Sequence, residues 1–203
     1  RAQVRAISEQ WTGDKGLPEM RFTLGTVDEA MDPETRVGLA VDADGNLHGI
    51  TSWLPVYGGG GEIHGWTLDL MRRRDGGFGP VMEFLIASSA LHFAEAGYQF
   101  VSLSGAPLVR PEDAEAGPVD RVLDGLGALI EPLYGFRSLH RFKQKFNPRA
   151  EPLHLLFRDE GDLPRIAVAL TRAYLPDASL RDLVASAAAS VPAAEAAPSG
   201  GSQ

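Results

Sequence analysis

Apolar positions along the chain change their spacing several times, and each change marks an element. Val4, Ile7 and Trp11 recur at helical spacing in a segment bounded by Gly13, which predicts a short N-terminal helix packing by Trp11. Two β-rich runs follow, Val37 to Val41 and Leu47 to Leu54, around Asp44-Gly45, a pair that favours a hairpin turn. The tetraglycine Gly58 to Gly61 reads as a flexible loop, and Ile63 to Leu70 resumes as a third strand of the meander. From Pro80 to Ala96, the residues Val81, Phe84, Leu85 and Leu91 approximate a helical period, with small Ser88 on the same face and Gly97 as the stop. Ile86, Ala87 and Phe93 widen that stripe, as expected of a helix buried on more than one side. Phe100 to Leu103 is a short apolar strand. Strand, long helix and strand thus form a βαβ-like crossover, which favours an α/β sheet over an all-β sandwich.

Gly105 to Pro118 reads as a loop, Val119 to Ile130 as a helix and Tyr134 to Lys143 as a further short helix. Leu153 to Phe157 is expected to be a strand, and Leu163 to Tyr174 an amphipathic helix with Pro164 near its start and Pro176 past its end. From about Ala185 onward the chain is rich in Ala, Ser, Pro and Gly and has little to bury. With 203 residues, 44% of them hydrophobic, the economical expectation is one domain over residues 1–184 and a disordered tail at 185–203.

The chain contains no cysteine, which removes disulfides, thiolate nucleophiles and thiolate metal sites from consideration. Its five histidines, His48, His64, His92, His140 and His154, lack the close spacing of a helical or strand metal site, so no metal is expected. No apolar run approaches the ~18 to 20 residues of a membrane span, and Arg1 to Glu9 do not resemble a signal peptide. The chain is therefore expected to be soluble as it stands. Arg1 in place of a methionine fits a trimmed chain, with membrane helices among the segments that would precede it. The net charge of −8 predicts a field that repels anions on average, yet its distribution is uneven. Between Leu133 and Ala150 there are five cationic side chains (Arg137, Arg141, Lys143, Lys145 and Arg149), His140, and no carboxylate.

Several constellations carry candidate chemistry. Thr67 to Arg74 places Asp69 near the end of an apolar strand with Arg72, Arg73 and Arg74 just after it, where α/β folds expose functional side chains. Strand alternation would set Asp69 on the face opposite Leu68 and Leu70. A surface aspartate among solvated arginines fits the same residues. Arg74-Asp75-Gly76-Gly77-Phe78-Gly79 satisfies the Arg-x-x-Gly-x-Gly pattern with which GNAT-type acetyltransferases cradle the coenzyme A pyrophosphate; Arg74, Gly77 and Gly79 would do so here, and a plain tight turn is the alternative. Glu83, in the first turn of the long helix, suits the helix dipole, or would join Asp69 if both face one cleft. Ser104 ends a second strand in small residues that allow close approach of a ligand; without a Gly-x-Ser-x-Gly elbow it does not read as a hydrolase nucleophile. Finally, Leu139 to Pro148 alternates Arg141, Lys143 and Lys145 with Phe142 and Phe146, the composition of a face that grips phosphates while its rings anchor in the core. A solvated basic helix face is the bland counterpart.

Taken together, Ile7-Ser8-Glu9-Gln10-Trp11, Asp69-Leu70-Met71-Arg72, Val81-Met82-Glu83-Phe84-Leu85, Ser102-Leu103-Ser104-Gly105-Ala106-Pro107-Leu108 and Arg141-Phe142-Lys143-Gln144-Lys145-Phe146-Asn147-Pro148 resemble the C-terminal domain of the phosphatidylglycerol lysyltransferases, also called aminoacyl-phosphatidylglycerol synthases. The resemblance covers roughly residues 5 to 160 in the family's order. It implies a GNAT acetyltransferase-like α/β fold, a mixed sheet flanked by helices, and specifically the second of two such folds in tandem behind a membrane domain. It implies transfer of an aminoacyl group, lysyl first among candidates, from aminoacyl-tRNA to the glycerol head group of phosphatidylglycerol at the cytoplasmic face of the bacterial membrane. An aminoacyl ester is already activated, so neither a cofactor nor a metal is implied.

On that resemblance Asp69 would hold the aminoacyl ammonium or assist deprotonation, and Arg72 would orient the ester or phosphate. Glu83 is a further catalytic candidate. Arg141, Lys143 and Lys145, with Ser104 nearby, would bind the tRNA acceptor end, the lipid phosphate or an anionic membrane surface. All of these are expected to share a single cleft. A coenzyme A-dependent N-acetyltransferase and a non-catalytic module that docks a membrane or partner are the alternatives.

Overall fold

The computed structural model describes residues 1–15, 25–105 and 136–174. Its elements run α1 (Ala2–Lys15), a 3-10 turn (Glu29–Met31), β1 (Arg36–Val41), β2 (Leu47–Tyr57), β3 (Ile63–Arg73), α2 (Val81–Glu95), β4 (Phe100–Ser102), α3 (Phe136–Gln144), a second 3-10 turn (Glu160–Asp162) and α4 (Leu163–Tyr174). The sheet order is β1-β2-β3-β4. The first three strands form an antiparallel meander, and β4 lies parallel to β3 after the α2 crossover. This is the expected mixed α/β sheet flanked by helices. A parallel neighbour needs a long connection, and α2 supplies it.

Each face of the sheet has its own core. Val4 and Ile7 of α1, with Ala30, pack on Leu47, Ile50 and Leu70. On the other face Ile86 and Phe93 of α2 pack on Trp53, Trp66 and Leu68, with Phe142 of α3 and Phe146 just past its end at the margin. Phe93 is the hub of the second core: its ring stacks on Trp66 at 5.3 Å and meets Trp53 edge-on at 5.4 Å. Such geometry adds to area burial because ring quadrupoles prefer offset and edge-to-face contact.

Several expectations shift. The N-terminal helix passes through Gly13 to Lys15, since glycine weakens a helix interior without forbidding it; the expected Trp11 packing lies outside the described side chains. Helix α2 buries Val81, Met82, Leu85, Ile86 and Phe93, whereas Phe84 is 56% and Leu91 67% exposed and Ser88 is exposed with them. The correction follows from helical geometry, because steps of four from Val81 stay on one face while Phe84 and Leu91 fall together on its opposite side.

Leu153 to Phe157 is not a strand: residues 150–157 have no regular structure, with Leu153 87% and Leu156 90% exposed. The run has β-forming character but no neighbouring strand to pair with among the described residues, and strand propensity without a ladder does not make a strand. The expected Val119 to Ile130 helix and the tail from Ala185 lie outside the described residues, as does all but the first residue of the Gly105 to Pro118 loop. No helix among the described residues is long and apolar enough to cross a membrane.

Candidate functional site

A β-bulge in β3 determines where the candidate carboxylate points. Thr51 pairs with Met71 and Trp53 with Leu68, so Asp69 and Leu70 together oppose the single residue Ser52. The extra residue switches the faces. Leu68 enters the core beneath α2 while Leu70, only two positions on, enters the core beneath α1. Simple alternation therefore fails here, and the expectation that Asp69 lies opposite both leucines is corrected: its carboxylate turns to the α1 side, with Leu70.

There the Gly25 N–H donates to Asp69 Oδ1 at 2.9 Å, and the buried Ser52 hydroxyl lies 3.4 Å from Oδ2. The same hydroxyl accepts from the Leu70 N–H at 3.1 Å. Burial pushes the Asp69 carboxyl above its ordinary range; the Gly25 and Ser52 hydrogen bonds oppose the rise, the Glu29 charge adds to it and the Arg72 guanidinium opposes it. Arg72 is buried, pairs across the ladder with Ile50 of the α1-side core, and donates to the Met71 carbonyl at 2.9 Å. The structure thus brings Asp69 and Arg72 together on one face.

Helix α3 sits on the other face. Phe142 and Phe146 seat it against the α2-side core, their rings 5.7 Å apart. Between these anchors Lys143 is buried, its Nζ donating to the Gly105 carbonyl at 2.7 Å just past β4. Burial lowers its ammonium from 10.5 to about 8. Lys145 pairs with Glu83 of α2 at 2.8 Å and lies 5.4 Å from the Phe142 ring, and Arg141 is exposed. Glu83 is held below the usual carboxylate range mainly by its hydrogen bond from Lys145. Its partner is therefore a cation just past α3 and not Asp69.

The expected single cleft is not formed by the described residues. Asp69 and Arg72 face α1, the α3 cations lie on the α2 side, and β3 stands between them. Past the Thr67–Ser102 pair, β3 and β4 no longer pair. Ser104 there adopts a left-handed conformation with φ 63°, its N–H donating to Ser102 Oγ at 3.0 Å. Lys143 thus sits where the parallel strands part. Two open surface pockets among the described residues lie elsewhere, one on α4 around Val168 and one between α1 and Arg74, of about 410 and 360 Å³.

Over residues 1–157 the chain matches the family described as phosphatidylglycerol lysyltransferase, C-terminal. The chain belongs to that family. An uncharacterised protein of Corynebacterium glutamicum is 45% identical over 191 residues, covering 94% of this chain and 24% of the relative. The lysylphosphatidylglycerol biosynthesis bifunctional protein LysX of Nocardia farcinica is 31% identical, covering 86% of this chain and 16% of its own length. The phosphatidylglycerol lysyltransferase of Staphylococcus xylosus is 26% identical, covering 79% of this chain and 18% of its own. The chain thus spans a quarter or less of the length of these relatives.

Two solved structures share the fold. The structure titled L-PGS from Bacillus licheniformis superposes with a TM-score of 0.67 at 22% identity, covering 85% of this chain and 51% of that one. The C-terminal domain of a putative lysylphosphatidylglycerol synthetase from Agrobacterium fabrum superposes with a TM-score of 0.64 at 25% identity, covering 87% of this chain and 51% of that one.

In this member of the lysyltransferase C-terminal family the Arg74 to Gly79 turn is not arranged as an open phosphate cradle. The Gly77 N–H donates to the Arg74 carbonyl at 3.3 Å and the Phe78 N–H to His48 Nδ1 at 3.1 Å, while Arg74 lines the pocket against α1. Two of the donors a pyrophosphate would need are already used within the fold. Sequence reasoning missed Ser52 and Gly25, the two residues that hold the Asp69 carboxylate. Ser52 offered no periodic signal. Gly25 was legible only as a glycine, although a Cβ there would run into Asp69 Oδ2, so that a larger residue would have to push the carboxylate aside.

Proposed function

We propose that this chain carries the reacting carboxylate for transfer of an aminoacyl group, lysyl in the first instance, from aminoacyl-tRNA to the glycerol head group of phosphatidylglycerol. The observation that carries the reading is the bulge in β3, which directs a half-buried, proton-attracting Asp69 to the same side as the buried Arg72. Membership of the lysyltransferase C-terminal family, and its likeness to the lysylphosphatidylglycerol biosynthesis protein of Nocardia and the phosphatidylglycerol lysyltransferase of Staphylococcus, support the substrate class.

The chemistry asks little of the protein beyond positioning. Asp69 accepts the proton of a glycerol hydroxyl as its oxygen attacks the aminoacyl ester carbonyl. Burial brings its proton affinity towards the range in which a carboxylate is an effective general base. The Arg72 guanidinium offers the charge that steadies the tetrahedral oxyanion. Collapse expels the tRNA ribose oxygen, which recovers the proton from Asp69, so no cofactor enters the balance. Arg141 on α3 and Lys145 just past its end are exposed on the other face of the sheet, where they supply cationic contacts for tRNA phosphates or an anionic lipid surface away from the reacting carboxylate. The setting is the cytoplasmic face of a bacterial membrane, where tRNA and an anionic lipid meet.

The test is thin-layer analysis of lipids formed by the intact protein from phosphatidylglycerol vesicles and aminoacyl-tRNAs labelled one amino acid at a time. A labelled, more cationic lipid from lysyl-tRNA is the expected product. Absence of labelled lipid with every aminoacyl-tRNA overturns the reading.

A further inference from the structure

The bulge leaves a problem that Ser52 solves. Ser52 is fully buried and opposes two residues of β3 at once. An extra residue in a strand breaks the regular ladder, and a buried N–H beside it needs an acceptor. Leu70 is that case, and the Ser52 oxygen accepts its N–H at 3.1 Å. Once its oxygen accepts there, the hydroxyl hydrogen is free to turn to the other neighbour within reach, the Asp69 carboxylate oxygen at 3.4 Å. That distance is longer than the ~2.7 to 2.8 Å of a strong O–H···O bond, so the contact orients the carboxylate more than it binds it. The Gly25 N–H donates to the second oxygen at 2.9 Å, and its missing side chain is what lets the carboxylate lie there.

We propose that Ser52 is a positioning residue for Asp69, linking the Leu70 N–H to the Asp69 carboxylate through one hydroxyl and thereby setting the carboxylate's direction and proton affinity. Ser52 touches no reacting atom in this account. It acts through Asp69, with Gly25 as the other jaw of the clamp. Among the described residues each oxygen of the carboxylate then has one donor, and a second lone-pair direction on each is available to a substrate hydroxyl or ammonium. The bulge, the serine and the glycine form one device: the first aims the carboxylate, and the other two keep it aimed.

The inference rests on the reading of Asp69 as the proton acceptor, and its test is chosen so that the two fail separately. The Asp69 carboxyl is titrated by carbon-13 NMR in this chain, without turnover, for wild type, Ser52→Ala and Ser52→Thr. Loss of the hydroxyl is expected to raise the Asp69 midpoint by roughly half a unit, and threonine, which keeps the hydroxyl, to hold it within about 0.2 unit of wild type. In the intact protein, Ser52→Ala is expected to lower kcat roughly tenfold with the KM for aminoacyl-tRNA unchanged, and Ser52→Thr to restore most of the rate.

A Ser52→Ala protein that titrates with wild type overturns the positioning role. Should Ser52→Ala not fold, Ser52→Thr against Ser52→Val makes the same comparison at constant side-chain volume, and equal midpoints for that pair overturn it too. If Asp69→Asn transfers lysyl groups at the wild-type rate, the proton-acceptor reading fails, and the titration still decides the clamp.

Discussion

The backbone N–H of Gly25 donates to Asp69 Oδ1 across 44 positions of sequence, tying the segment ahead of the 3-10 turn to the bulged strand. This contact is specific in size as well as in direction, since any side chain at position 25 meets the carboxylate. Gly25→Ala is expected to displace Asp69 and lower the rate of lipid aminoacylation at least tenfold while the chain still folds. Rate and circular dichroism measured on the same preparation check it; an active Gly25→Ala protein means the contact is dispensable.

The proton affinity of Asp69 has a consequence for stability. Its folded value lies above the ordinary 3.8, so just above that pH the folded chain binds more protons than the unfolded one. The favourable contribution is complete below 3.8 and lost as the pH rises through the folded value. Asp69→Asn removes this loss while keeping an oxygen for Gly25. The thermal midpoint of the variant is therefore expected to gain on wild type between about pH 3.5 and about pH 7, as a strained functional group exchanged for a neutral one would. A difference that is flat across that range contradicts the assignment.

Lys143 and its neighbours should separate by role. Lys143 is buried, and burial depresses it to about 8, so it penalises the folded state while charged; the penalty is lifted between that value and 10.5 as the ammonium of the folded chain loses its proton first. Its favourable linkage is thus present above 10.5 and lost as the pH falls through about 8. Wild type is expected to gain thermal midpoint from pH 8 to pH 10, and Lys143→Met to flatten that rise. Equal slopes for the two proteins contradict a desolvated ammonium.

Arg141 and Lys145 are exposed, so their reversal acts on binding. Arg141→Glu with Lys145→Glu is expected to weaken tRNA association and to reduce the salt slope of log K by roughly 1.5, the size of two lost phosphate contacts. The Lys145–Glu83 pair is exposed and contributes about 0 to 1 kcal/mol, so folding should survive. Fluorescence titration across salt reads the slope, and an unchanged one removes these residues from the interface.

Much of the fold was legible because it is periodic. The hairpin flanking Gly45, the β3–α2–β4 crossover and α4 all follow from spacing and punctuation. The site was less legible because it depends on a break in period: alternation set Asp69 opposite Leu68, as found, but also opposite Leu70, with which it shares a face, and only the register with Ser52 reveals the extra residue. Phe84 and Leu91 misled for a related reason, since apolar residues beside a helical stripe look like part of it until packing selects the face. Leu153 to Phe157 shows the limit of propensity, which reports what a segment can pair with but not whether a partner strand exists.

The Arg74 to Gly79 turn gives a direct contrast with acetyltransferase chemistry. With the Gly77 and Phe78 N–H groups already bonded within the fold, tight acetyl-coenzyme A binding is not expected. Titration calorimetry reads this without any turnover. Tight binding that disappears in Gly77→Ala would contradict the present account of the turn.

The rate of labelled lysyl transfer from lysyl-tRNA to phosphatidylglycerol vesicles, measured for the intact wild-type protein and for Asp69→Asn side by side, tests the central claim most directly. The account predicts a labelled lipid from wild type and a rate at least 100-fold lower for the variant, within the ~10² to 10⁴ range of a positioned general base, with tRNA affinity unchanged. Equal rates for the two proteins would contradict it.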